Sequence, residues 1–164
     1  MTTPQKMEKE TFLSTLHTSR SELDRALAQV DESRLEEPGV SGFMSVKDIL
    51  AHITWFEKEM LAVLDQRTLA GSNWWDLPAG ERNQHIFATN RDRPLAEVRA
   101  SAQQVYALLL QALEGLEENE LNDPSRFRNM PPDWIPYQLL AGNTYDHYDH
   151  HAADIRRWLA AQGG

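Results

Sequence analysis

The residue types best able to do chemistry in this sequence are three histidines: His147 and His151, four residues apart, and His52, far upstream of them. In a helix, residues four apart project the same way one turn apart, so the rings of His147 and His151 can reach a single ion. Neutral imidazole binds Zn, Ni, Cu, Fe and Co, and a third imidazole from another helix leaves coordination positions open for water or substrate. His52 is the natural third. It is a lone polar residue on an apolar stripe, where burial without a partner would cost on the order of 1–3 kcal/mol. Each group also has a plainer reading. His52 can be satisfied by a backbone carbonyl or a water. The pair lies in the polar run Asp146-His147-Tyr148-Asp149-His150-His151 and can be a solvated face, on which His150 could replace one partner. Asp154, three residues after His151 on the same face, can orient a ligand, coordinate the ion or act as a base on bound water, or it can simply pair with Arg157. Tyr148 is the second candidate for moving protons. His17 and His85 read as surface or structural residues.

These side chains need helices to position them. Phe12, Leu16, Leu23 and Leu27 recur near the helical repeat between about Pro4 and Val30. Pro38, Gly39 and Gly42 mark Asp31 to Met44 as a loop. Ser45 with Asp48 resembles a capping box opening a second helix, whose stripe Ile49, Ile53, Phe56, Met60, Val63 and Leu64 runs to about Leu69, before Gly71. The segment from Gly71 to Arg93 reads as a decorated crossover with a short helix over Glu81 to Asn90. Pro94 suits a first helical position, and Val98, Ala102, Val105, Leu109, Ala112 and Leu116 follow at helical spacing. Four prolines make Asn119 to Pro136 a long surface connection able to cover one mouth of a bundle. From Tyr137 to about Ala161, Leu140, Thr144, His147, His151, Ile155 and Trp158 share a face. Four long helices and no strand candidate predict an all-α four-helix bundle with a long crossover between its second and third helices.

The 164 residues suit one domain spanning residues 1–164, with no repeat or linker to divide it. With 25 acidic against 16 basic side chains the net charge is −9, which on average repels phosphate backbones and anionic membranes. Nucleic acid and membrane are therefore not expected partners. Arg91, Arg93 and Arg99 form a local basic group, more simply read as a solvated helix start. There is no cysteine, so a metal must use nitrogen and oxygen ligands, and the chain fits a reducing compartment. The polar residues Met1 to Glu10 and the lack of a long apolar run point to a cytoplasmic protein. Trp55, Trp74, Trp75, Trp134 and Trp158 suit core packing or the walls of an apolar pocket.

Ser45-Val46-Lys47-Asp48-Ile49-Leu50-Ala51-His52 resembles the second-helix signature of DinB-like bundles, shared by the ClbS/DfsB branch. Asn90-Arg91-Asp92-Arg93-Pro94-Leu95 is similar to the entry of that branch's third helix. Ala141-Gly142-Asn143-Thr144-Tyr145-Asp146-His147-Tyr148, followed by His151, is similar to its last helix. The resemblance covers residues 8 to 160 approximately. It implies an up-and-down-like bundle, often a homodimer, with a three-histidine metal site on His52, His147 and His151, and Zn or Ni as the expected ion. Relatives include metal-dependent transferases acting on thiols such as bacillithiol or mycothiol, while the ClbS/DfsB branch is similar to a protein that hydrolyses a strained electrophilic ring. DinB-like enzymes often follow the last histidine with Arg-Gly-Gln, and this chain has Ala152-Ala153-Asp154. An acid at that place favours metal binding and basic water over a bound thiolate. Two readings follow. One is a metal-dependent hydrolase or thiol transferase acting on a small electrophilic or thiol compound in stress or toxin protection. The other is a non-catalytic bundle for sequestration or interaction.

Overall fold

The computed structural model describes residues 5–162, so the expected helix start at Pro4 lies outside them. Six α-helices follow one another: α1 (Lys9–Ala28), α2 (Val46–Gln66), α3 (Ala79–Asn90), α4 (Leu95–Glu114), α5 (Pro136–Gly142) and α6 (Tyr145–Gln162). No strand occurs among the described residues, and no helix there is long and apolar enough to cross a membrane. The four long helices make the bundle. α2 packs along α4, α1 along α6, and α2 also meets α6, which is the contact that matters for the histidines.

The apolar stripes face inward as their spacing requires. Ile49, Ile53, Phe56, Met60, Val63 and Leu64 of α2 are all buried, as are Phe12, Leu16 and Leu23 of α1 and Val98, Val105 and Leu109 of α4. Leu27 and Ala112 are only partly buried, with Ala26 and Leu113 taking the inner positions. The start of α2 is fixed by the expected capping box: Ser45 Oγ accepts from the Asp48 N–H at 3.1 Å, and Asp48 Oδ2 accepts from the Ser45 N–H at 2.9 Å.

Two boundaries differ from the sequence expectation. α2 stops at Gln66 because Arg67 turns left-handed (φ 47°) and its carbonyl accepts from the Arg128 N–H at 2.8 Å. Gly71 does not end that helix. It lets the chain pass Trp75, since a Cβ there would lie 2.3 Å from the Trp75 Cβ. The last helix is broken at Asn143 and Thr144, where Asn143 leaves helical angles (φ −106°, ψ 3°) and the two backbone N–H groups bond three residues back, to the Leu140 and Ala141 carbonyls at 3.3 and 3.2 Å. The connection between α4 and α5 holds two 3-10 turns and buries Leu121, Phe127 and Met130. It joins α2 beyond Gln66, about 22 Å along the helix from His52, and so closes a different part of the bundle.

Candidate metal centre

His52 projects from the first half of α2, and His147 and His151 project from the first two turns of α6, so the α2–α6 contact brings the three rings together. His147 Nε2 lies 3.1 Å from His52 Nε2 and 3.0 Å from His151 Nε2. His52 and His151 are buried and His147 is half-buried. Burial pushes their pKa values down to about 3, 2 and 4 for His52, His147 and His151, with the neighbouring cationic groups adding to it. All three are therefore neutral at pH 7, the form that ligates a metal.

The donor set fits a divalent ion. A neutral Nε2 either donates one hydrogen or offers one lone pair, so His147 Nε2 cannot be well satisfied by both of its neighbours. The three Nδ1 atoms are buried without a hydrogen-bond partner. Three convergent lone pairs repel one another unless a cation lies between them. Nitrogens on one first-row ion with bonds of about 2.0–2.1 Å stand roughly 3 Å apart, close to the spacing observed here.

Asp154 stands behind the cluster rather than in it. Its Oδ2 accepts from the Ser41 hydroxyl at 2.8 Å and lies 3.4 Å from His151 Nδ1, while its Oδ1 accepts from Arg157 at 3.2 Å. The pairing with Arg157 is thus made by one oxygen, and the other stands near His151. Ser41 arrives through the loop before α2, where Gly39 and Gly42 take positive φ values of 95° and 57° to make the turn. His150 is mostly exposed and stands 3.6 Å from Asp154, outside the three-nitrogen cluster. Tyr148 points elsewhere: it is fully buried and donates to Glu57 Oε2 at 2.5 Å, away from the cavity.

The cluster opens into a cavity of about 400 Å³ also lined by Met44, Phe56, Arg82, Asn83 and Asn143. None of the tryptophans lines it. Trp158 is buried under Arg34, and Trp75 stacks on Trp55 beside Phe56. Arg82 and Asn83 of α3 were not anticipated, because nothing in a polar crossover helix marks which residues face a site on two other helices. His85 is exposed and stacks on Trp74, and His17 is exposed.

A family model for the DinB superfamily matches residues 15–155. The chain belongs to the DinB superfamily. Among solved structures, this DinB-superfamily protein is similar to one described as Sibling Lethal Factor Precursor, DfsB, at 20% identity and a TM-score of 0.82, covering 97% of this chain and 99% of that one. It is similar to the colibactin self-resistance protein ClbS, solved in complex with a dsDNA, at 15% identity and a TM-score of 0.77, covering 94% and 96%. An uncharacterised protein from Clostridium difficile 630 aligns at 15% identity and a TM-score of 0.78, covering 92% and 95%. These likenesses establish the shared fold and agree with the ClbS/DfsB resemblance of the sequence. No curated protein matches the sequence. The dsDNA in the ClbS structure conflicts with the expectation that nucleic acid is not a partner, since a protein of this fold is found on duplex DNA.

Proposed function

We propose that this DinB-superfamily protein binds one divalent metal ion, Zn or Ni, through His52, His147 and His151 and acts on a small molecule held in the adjoining cavity. The observation that carries the reading is the convergence of three neutral Nε2 atoms within 3.0–3.1 Å contacts that their own hydrogens cannot satisfy. When bound, such an ion lowers the pKa of a coordinated water or substrate group and supplies a nucleophile at neutral pH.

The protein's own residues do the rest. His52 from α2 and His147 and His151 from α6 fix the ion's place by the packing of two helices. Asp154, held by Ser41 and Arg157, lies 3.4 Å from His151 Nδ1, placed to take a hydrogen bond from that nitrogen when Nε2 ligates an ion, a positioning role of the kind carboxylates serve behind metal-bound imidazoles. Phe56 and Met44 give the cavity apolar wall. The reaction class is hydrolysis or thiol transfer on a small electrophilic or thiol compound, with hydrolysis favoured by the acid at position 154. In this reading the protein is a cytoplasmic homodimer, and Leu108, 45% exposed on α4, is an apolar residue free for such a contact.

The test is metal content by elemental mass spectrometry on tag-free protein, wild type against His52→Ala and His147→Ala. About one ion per chain in wild type and little in either variant is the expected result. A wild-type protein that stays empty after incubation with Zn, Ni and Mn overturns the reading and leaves the non-catalytic bundle.

A further inference from the structure

Arg82 stands out among the arginines. In a chain with 25 acidic side chains, it makes no ion pair among the described residues, although every other arginine except Arg128 does. Arg128 has its own partner in the Thr68 hydroxyl. Arg82 instead lines the histidine cavity. One end of its guanidinium is tied down: NH1 donates to the Trp75 carbonyl at 3.1 Å, and the group lies 5.3 Å from the Phe56 ring centre and 5.8 Å from that of Trp75. Its Nε is buried without a partner, and so is Oδ1 of the adjacent Asn83. The side chain is thus held in place by a carbonyl and two aromatic faces, with no anion to balance its charge.

The charge of the cavity sharpens this. Three neutral imidazoles contribute none, and Asp154 is already shared among Ser41, Arg157 and His150. A divalent ion at the histidines would leave the cavity strongly positive inside an acidic protein, a field that selects anions. A planar guanidinium pairs with carboxylate and phosphate alike, but among the described residues Arg82 is the one arginine or lysine lining the cavity, a single charge that matches a carboxylate rather than a phosphate of nearly two charges.

We propose that the cavity takes a small organic carboxylate, with Arg82 holding the carboxylate and the reacting part of the molecule lying against His52, His147 and His151. This deepens the metal-site reading and, for the position of the reacting part, rests on it.

The experiment is a titration of succinate into zinc-treated wild type, Arg82→Gln and Arg82→Lys, followed by calorimetry and by the NMR signals of the arginine Nε–H groups, with inorganic phosphate run alongside. Wild type should bind succinate with a shift of the Arg82 signal, and Arg82→Gln should bind about tenfold more weakly or worse. Arg82→Lys should keep part of the affinity. Zinc affinity in Arg82→Gln should be unchanged or higher, because a like charge is gone. Equal succinate affinity in wild type and Arg82→Gln overturns the proposal, as does the absence of succinate binding in wild type. Phosphate binding more tightly than succinate overturns the choice of carboxylate. Failure of the protein to take up zinc is failure of the metal reading alone; the dependence on Arg82 is then judged on the metal-free chain by the same titration and stands or falls there.

Discussion

His52 and Glu57 lie on α2 little more than one helical turn apart, and both are buried polar residues reaching towards α6, yet their surroundings are opposite. Glu57 has charge partners within its own chain: its Oε2 accepts from Arg20 of α1 at 3.0 Å and from Tyr148 of α6 at 2.5 Å, while its Oε1 is buried without a partner, and Arg20 lies over the rings of Tyr106 and Tyr148 at 4.2 and 5.1 Å. The histidines have one another's nitrogens and little else. Charge partners drawn from three helices mark a tie between those helices. Like groups converging on one point, beside a cavity, are the arrangement on which the proposed metal site rests. The neighbouring residues His147 and Tyr148 fall on opposite sides of that division, so proximity in sequence to His147 does not bring Tyr148 into the histidine cluster.

The largest expected effect separates the two clusters by stability. Glu57→Leu leaves the Arg20 guanidinium, whose side chain is only 10% exposed, without its main partner, and should destabilise the protein by about 3–5 kcal/mol in urea denaturation. Metal stoichiometry should stay at the wild-type value in the protein that remains folded. Loss of the metal from a folded Glu57→Leu protein would show that the clusters are one unit and break the comparison.

The next effect is smaller. Tyr148→Phe deletes one hydrogen bond to a buried carboxylate and should cost about 1.5–3 kcal/mol. Burial foremost, and then the Glu57 charge, hold the Tyr148 phenol well above its usual pKa, so the hydroxyl stays protonated as a donor rather than serving as a base near pH 7. Metal-dependent turnover in a folded Tyr148→Phe protein should equal that of wild type. A large fall in turnover with unchanged metal content would restore Tyr148 to the chemistry.

The bundle was legible because its evidence is local and repeated. The stripe from Ile49 to Leu64 has only one way to be buried on a helix, and the Ser45–Asp48 box states where that helix starts. The histidine pair was legible for the same reason, since spacing of four fixes a shared face, and His52 was exposed by its place on an apolar stripe. What could not be read depends on where other segments come to rest. Arg20 looks in sequence like any solvated helix arginine, and only the docking of α1 against α6 places it on Glu57. Arg82 sits in a polar helix without a stripe, so no pattern aims it at the cavity. The break at Asn143 and Thr144 escaped because the apolar face continues across it, and Asn and Thr make the same bonds back to carbonyls at Asn90 and Thr54, both helical.

The third prediction concerns acid and is the smallest for each residue. The three histidines titrate in the unfolded chain near 6.5 but are held far lower when folded, so the unfolded state takes up protons first as pH falls. Stability from these groups is fully present above the unfolded pKa and is lost on acidification, beginning near pH 6.5 and continuing towards the folded values. At pH 6 linkage gives a loss of about 0.8 kcal/mol for each imidazole that stays neutral in the fold. Urea denaturation of metal-free wild type at pH 7.5 and pH 6 should show this loss, and His52→Leu should show it reduced by one imidazole's share. A leucine there also removes a buried nitrogen that has no partner, so the metal-free variant should be close to wild type in stability at neutral pH. The Glu57 cluster behaves differently, because deleting its carboxylate strands the buried Arg20 charge, and no such partner is stranded at His52. If His52→Leu were as damaging as Glu57→Leu in the absence of metal, the histidines would be holding the bundle together by themselves, and the distinction between a tie and a site would fail.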